Sequence, residues 1–504
     1  MKILEKMKNA SLSFAETIKE KPVIGWGVFG VAMVGVFVLG LLAASITERR
    51  AEIATIYNNK KVEISGINAH NEQWGINYPR EYETWKKTQE MDFRSKHLGN
   101  TFDDVLKDRP DMVVLWAGYA FSRDYSAPRG HMYTIEDMRS TLRTGAPVGG
   151  QGDLQPATCW TCKSPDVPRM MQEVGIENFY KQKWSAMGSE IVNPLGCADC
   201  HDPKTMNLTI TRPALVEAFQ RQGKDISKAS LQEMRSLVCA QCHVEYFFKG
   251  DGKYLTFPWD KGMTMEAMEQ YYDEAKYADW THAVSKAPML KAQHPDYELF
   301  ILGPHGQRGL SCADCHMPYI SEGGVKYSNH QIMSPLKNIA STCQTCHRDT
   351  EANLKKYVYD NQDKILEVRN RVETELVKAH VMAKLAWDKG ASKDQMNAAL
   401  QLIRQAQWRW DFGVASHGAS FHAPVETQRV LAHALDKSLL AQIELQKVLY
   451  SKGVTQVQMP DISTKEKAQA YIGLDMKKLK NDKEQWLKTV VPGWLEEAKR
   501  KGNV

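Results

Sequence analysis

The sequence predicts a mainly α fold, on three observations. Strand-like alternation of apolar and polar residues is scarce along the 504 residues. After His347 the apolar residues recur three or four apart in long runs, which is the spacing of amphipathic helices. All ten cysteines fall in Cys-x-x-Cys pairs, Cys159/Cys162, Cys197/Cys200, Cys239/Cys242, Cys312/Cys315 and Cys343/Cys346, with none left over.

Four of these pairs are followed at once by a histidine: His201, His243, His316 and His347. Two thioethers and an adjacent iron ligand are what c-type haem attachment needs, and that spacing is its signature. The fifth pair reads Cys159-Trp160-Thr161-Cys162-Lys163, so a lysine amine marks one haem as chemically different. Zinc knuckles and disulfide scaffolds also use paired cysteines, but neither predicts histidine directly after the second cysteine four times in five. Five covalently bound c-type haems follow, and with them a multihaem cytochrome c body with few short strands and long C-terminal helices.

Along the chain, Pro22 to Ile46 carries no charged residue, enough at about 1.5 Å per residue to cross the roughly 30 Å hydrocarbon core. Lys2, Lys6, Lys8, Lys19 and Lys21 precede it and hold the amino terminus in the cytoplasm. Residues 1–50 are thus a cytoplasmic N-terminus plus a transmembrane signal-anchor, or a signal peptide cleaved near Ala43-x-Ser45. Either way residues 51–504, one pentahaem domain, are delivered to the periplasmic side of the cytoplasmic membrane, anchored or soluble. Asn77-Tyr78-Pro79 and Asp108-Arg109-Pro110 punctuate loops and short helices before the first haem motif. The motifs then recur at irregular intervals of 38, 42, 73 and 31 residues, which excludes a repeat array.

Three long helices should follow. Ile365, Val368, Val372 and Leu376 open the first, and Gly390 stops it. Ser392 with Gln395 forms a capping-box start for the second, which carries Leu400, Ile403 and Trp410. The third runs from about Val425 to Tyr450 with Leu431, Leu435, Leu439, Ile443 and Leu445. Region 349–450 can pack on the haem core or on a second subunit, and a homodimer built on it is expected. The net charge of +5, from 65 basic and 60 acidic side chains, is small for this length and gives no reason to expect nucleic acid as a partner.

Five irons have ten axial positions, of which the attachment motifs fill five. A haem that only carries electrons wants a second strong ligand, so four distal histidines would close four haems and leave the lysine haem open. Here the residues closely resemble the pentahaem cytochrome c nitrite reductases, the ammonia-forming catalytic subunits. The resemblance rests on Cys-Trp-Thr-Cys-Lys, Ala117-Gly118-Tyr119, Pro128-Arg129-Gly130-His131, Leu142-Arg143-Thr144-Gly145, Cys239 to Tyr246, Lys291 to Pro295 and Phe421-His422-Ala423-Pro424, over roughly residues 60 to 450.

That resemblance implies six-electron reduction of nitrite to ammonium, with Arg143, Tyr246 and His294 as the catalytic trio. It implies one calcium ion at Glu245, Gln293 and the backbone of Tyr246 and Lys291, oxygen donors that suit a hard cation. It assigns His131, His305, His330 and His422 as distal ligands to the haems of Cys239, Cys343, Cys197 and Cys312. His417 stands five residues before His422 and competes with it on sequence grounds. His70, His97, His282, His380 and His433 are left as structural residues, His380 and His433 on predicted helices. The electron donor would be a membrane quinol dehydrogenase or a soluble multihaem cytochrome. Two other functions remain open: a multihaem electron carrier with no substrate, in which His294 closes the fifth iron, and a related reductase of sulfur oxyanions such as sulfite.

Overall fold

The computed structural model describes residues 16–504 apart from 59, 98 and 150. Lys2, Lys6 and Lys8, which set the expected orientation of the N-terminal segment, lie outside the described residues. The described chain forms two units: one takes the N-terminal segment to residue 62 with residues 321–327, the other residues 63–320 and 328–504.

In the first unit, helix α1 runs over Pro22–Asn58, and its Pro22–Ala51 stretch is long and apolar enough to cross a membrane. Val23, Trp26, Phe29, Val31 and Leu39 are all exposed on it. That is the state expected of side chains whose natural solvent is lipid or a secretion channel rather than a protein core.

The second unit is mainly helical. Among its described residues the strands form four two-stranded antiparallel pairs, the longest strand being Gly145–Val148. Asn77-Tyr78-Pro79 is the joint between helices Asn71–Asn77 and Pro79–Lys86, with Pro79 where a helix needs no N–H.

After the last haem motif come α2 (Glu351–Asp388), α3 (Lys393–Ala415) and α4 (Pro424–Ser451). The Thr350 side chain caps α2 by accepting from Asn353 N, and Gly390, at φ +75°, lets the chain turn out of it. The Ser392/Gln395 capping box is present, with Ser392 N donating to Gln395 Oε1 at 2.9 Å. Helix α4 packs against both α2 and α3. Val372, Leu376, Ile403, Trp410, Leu431 and Leu445 are buried there, each aliphatic side chain contributing about 1.5–3 kcal/mol of transfer free energy. Leu439, Leu440, Ile443 and Tyr450 on the opposite face of α4 stay exposed. Two more helices close the chain, α5 (Met476–Thr489) and α6 (Val491–Lys501).

His282 and His380, which the sequence leaves without a role, are buried with their rings stacked 3.8 Å apart. His282 Nε2 donates to Val114 O at 2.8 Å, and its Nδ1 accepts from Ser285 N at 3.1 Å. His380 Nε2 donates to Gln407 Oε1 at 2.7 Å, and Ser285 Oγ meets its Nδ1 at 2.9 Å. Each ring is therefore bonded in its neutral form, and burial pushes His380 down to about 4 and His282 well below its usual value. Because the folded values lie below the unfolded value of about 6.5, their contribution is complete above that pH and is lost as pH falls toward about 4. His380 alone should cost about 2 kcal/mol between pH 7 and pH 5. The thermal midpoint should fall over this range, and fall less in His380→Gln; an identical acid slope in the variant would contradict this assignment.

Candidate active site

Each Cys-x-x-Cys-His motif is one helical turn. His201 N, His243 N and His347 N return to the carbonyls of Cys197, Cys239 and Cys343 at 3.0, 2.9 and 2.9 Å, and Cys312–His316 is a short helix. One turn puts both sulfurs and the imidazole on the same side, as one porphyrin requires. The lysine motif turns more tightly. Lys163 N bonds Trp160 O at 2.9 Å, three residues back rather than four. Trp160 is buried, stacked at 4.9 Å on Trp184, and donates its Nε1 to Trp184 O at 3.0 Å. Thr134 Oγ1 holds the Lys163 carbonyl at 2.8 Å.

Cys346 is exposed, whereas Cys343 and the eight cysteines of the other pairs are half-buried. The last motif lies at the surface: its turn Cys343–Thr345 leads straight into α2, and Gln344, Thr345, His347 and the first residues of α2, Glu351 to Asn353, are exposed as well. Few protein side chains therefore cover the second sulfur of this pair. The backbone turn of the motif is kept, with Cys346 N bonding Cys343 O at 3.2 Å.

The four motif histidines each face a second histidine. Ring centres lie 6.2 Å apart for His201 and His330, 6.5 Å for His243 and His131, 6.2 Å for His316 and His422, and 6.2 Å for His347 and His305. In three of these rings Nδ1 bonds a backbone carbonyl: His201 to Met206 at 2.9 Å, His316 to Met333 at 3.0 Å, His330 to Ser328 at 2.8 Å. A carbonyl only accepts, so Nδ1 carries the hydrogen and the Nε2 lone pair is the one offered to a metal. Burial pushes His131, His330 and His422 down to about 4, so these imidazoles are neutral at neutral pH, as a ligand must be. These residues fit haem iron between each pair.

Arg143 sits in the turn Leu142–Thr144. Its Nε donates to Thr141 Oγ1 at 3.2 Å, and its guanidinium lies 4.5 Å from the Phe121 ring centre. Thr141 in turn donates to Asp124 Oδ2 at 3.0 Å. Tyr246 lies beside Cys159 and Cys162, and burial holds its phenol well above its usual value, so it remains a hydrogen donor. His294 Nδ1 lies 3.2 Å from Asp296 Oδ2, which also reaches His243 Nδ1 at 3.6 Å. Burial lowers His294 and Asp296 opposes that shift, while the nearby His243 and Lys163 side chains add to the lowering. Burial works to raise the Asp296 carboxyl, yet its bonds to the two imidazoles hold it well below the usual carboxylate range. His417 lies 6.1 Å from His294, and His422 faces His316 instead.

Glu245 is fully buried. Its Oε1 accepts from Tyr272 Oη at 2.9 Å and its Oε2 from Gln293 N at 2.6 Å. The Gln293 amide lies beside the Lys291 carbonyl, 3.4 Å from Nε2 to O, and the Lys291 ammonium is taken by Asp411 at 2.9 Å. Burial pushes Glu245 well above its usual value, Glu298 up to about 8 and Asp279 up to about 6, and Glu298 and Asp279 further raise Glu245. Glu298 Oε2 is buried without a partner. Buried carboxylates that repel one another fit a hard divalent cation at this place.

Sequence reasoning missed Asp296 and Asp279. Asp296, two residues after His294, could have been found as a carboxylate able to orient an imidazole. Asp279 reaches the cradle only through the Trp280–Thr281/Pro288–Met289 strand pair, where its Oδ2 accepts from Lys291 N at 2.8 Å, and no local spacing announces it.

Residues 70–502 match the family described as cytochrome c552. A Parabacteroides distasonis protein named cytochrome c-552 is 66% identical over 475 residues, 94% of this chain and 96% of its own length. A Bacteroides fragilis protein of the same name is 65% identical over 481 residues, 95% of this chain and 98% of its own length. Among solved structures, the catalytic subunit of Desulfovibrio desulfuricans cytochrome c nitrite reductase, described with two calcium sites, is similar at a TM-score of 0.74. It is 31% identical, over 83% of this chain and 91% of that one. The chain belongs to the cytochrome c552 family, oxidoreductases that carry covalent haem.

Proposed function

We propose that this chain reduces nitrite to ammonium, taking up six electrons and eight protons and releasing two waters. The reading is supported most by one arrangement: four motif histidines face partner histidines, while Arg143, Tyr246 and His294 gather near the lysine motif. Five haems would be held by the five cysteine pairs, with Lys163, His201, His243, His316 and His347 as proximal ligands and His330, His131, His422 and His305 as distal ones. The haem held at Lys163 would supply the redox chemistry for nitrite, and the other four would supply its electrons.

The protein's own groups handle the anion and the protons. Arg143 commits Nε to Thr141 and offers its terminal N–H groups to the nitrite oxygens. Tyr246, kept protonated by burial, donates a hydrogen bond to an oxygen as it leaves. His294, oriented through Nδ1 by Asp296, presents Nε2 as the site from which protons are delivered. Glu245, Gln293 and the Tyr246 and Lys291 carbonyls would hold one calcium ion, fixing the segments that carry Tyr246 and His294.

The body would lie on the periplasmic side of the cytoplasmic membrane, with residues 1–50 as anchor or signal and 51–504 as the catalytic domain. The exposed apolar face of α4 supports a homodimer through 349–450. Electrons would come from a membrane quinol dehydrogenase or a soluble multihaem cytochrome. The function is tested by anaerobic assay of the purified protein with a reduced viologen dye: one ammonium should appear per nitrite consumed. Nitrite loss without ammonium would overturn the reading.

Calcium has its own test. Chelation should lower turnover severalfold, added calcium should restore it, and Glu245→Ala should resemble the chelated protein and resist restoration. Full activity in protein shown by metal analysis to be calcium-free would contradict the site.

A further inference from the structure

Lys483, on helix α5 near the end of the chain, is buried to 3% exposure and forms no salt bridge with a carboxylate among the described residues. Its ammonium donates to Thr144 Oγ1 at 2.9 Å and to Gly145 O at 2.5 Å, and lies 4.4 Å from the centre of the Trp486 ring. These are the two residues that follow Arg143. Gly145 stands at φ +74°, and a Cβ there would meet the Gly152 carbonyl at 2.6 Å, so the backbone that offers its carbonyl to Lys483 is one only glycine can form. One turn further along α5, Trp486 donates Nε1 to Pro147 O at 2.6 Å. The Arg143 turn is thus held on one side by Asp124 through Thr141 and Leu142 N, and on the other by α5.

The same contact reaches the lysine motif. Trp486 lies 5.8 Å from Trp184, which is stacked on Trp160 between Cys159 and Thr161. Lys483 itself lies 5.8 Å from the Trp184 ring. An ammonium held out of water is costly, and burial lowers Lys483 to about 7 against the opposing pull of the Asp124 carboxylate. An apolar residue of similar length would leave Thr144 Oγ1 and Gly145 O without this donor, so the amine ties α5 to the Arg143 turn.

The geometry points to Lys483 as a positioning residue for an anionic substrate: with Trp486 it sets the Arg143 turn against the lysine motif, and in its protonated form it adds positive potential behind the guanidinium. This deepens the nitrite reading and rests on it. Arg143 contacts the anion and Lys483 acts through Arg143.

The test uses the full-length holoprotein and two variants, Lys483→Met, which keeps the length and removes the amine, and Trp486→Phe, which keeps an aromatic ring but removes the indole N–H that bonds Pro147. In Lys483→Met the KM for nitrite and the nitrite Kd read from the oxidised haem absorption should both rise roughly tenfold. The KM for neutral hydroxylamine and the thermal midpoint should move little. Trp486→Phe should shift nitrite in the same direction by a smaller factor. Equal losses on nitrite and hydroxylamine, or unchanged nitrite affinity in Lys483→Met, would overturn the assignment. If Lys483→Met does not fold, unchanged nitrite affinity in Trp486→Phe overturns it and a nitrite-selective shift supports it. Failure of the parent protein to form ammonium from nitrite is a separate result, which refutes the function rather than the role of Lys483.

Discussion

His294→Asn is expected to lower kcat for nitrite by about 10²–10³-fold while the KM changes little. Asparagine can still hydrogen-bond, but it cannot take up a proton and pass it on. The imidazole is set for that task by Asp296, which bonds Nδ1 at 3.2 Å and is itself fixed by Ser416 Oγ. Burial lowers His294 and Asp296 counteracts part of the shift, so its protonated form becomes scarcer as pH rises through a value lower than the usual one for histidine. The parental rate should therefore decline on the alkaline side of that value, and the limb should vanish in the variant. Steady-state kinetics across pH would check it. Parental kcat with an unchanged pH profile would show that protons reach the site by another group.

Arg143→Ala is expected to do something different: to raise the KM for nitrite and lower kcat together, with a loss of about 10²–10³-fold in kcat/KM. The guanidinium lies 4.5 Å from the centre of the Phe121 ring and is tethered by Nε, so its remaining N–H groups are directed before substrate arrives. A positive fork of this kind binds the anion and continues to hold oxygens as charge builds on them, which is why both parameters should suffer. Arg143→Lys should recover only part of the loss, because an ammonium keeps the charge but not the two-point geometry. Full recovery in the lysine variant would mean that potential alone, without orientation, is what Arg143 provides.

The contrast between what the sequence shows and what it hides follows the range of the interactions. The cysteine pairs with their following histidines are one-turn features, and the turns Cys197–Cys200 and Cys312–His316 form where the spacing puts them. Spacing says nothing of burial, however, and the exposed Cys346 looks the same in sequence as its half-buried counterparts. The Ser392/Gln395 capping box and the Gly390 stop are equally local, so α2 and α3 begin and end close to the expected places. The apolar repeat of α4 gave its helical state but not its surroundings: Leu431 and Leu445 are buried, whereas Leu439 and Ile443, in the same repeat, face outward. Periodicity sees a stripe and not what lies across from it. The facing histidine pairs join residues far apart in sequence, and only a family resemblance suggested them. Asp279, the His282/His380 stack and Lys483 had no local signature, since each gains its meaning from a carbonyl or ring on a distant segment.

The central claim is that one haem is open and four are closed by paired histidines. Titration of the dithionite-reduced protein with carbon monoxide, set against haem content, measures this directly. The account predicts one carbon monoxide bound per chain carrying five haems, with binding at the same stoichiometry in His294→Ala. No binding to the parent and one equivalent in His294→Ala would make His294 an axial ligand and the protein an electron carrier. More than one equivalent in the parent would show that a facing pair, such as His347 and His305, does not close its iron.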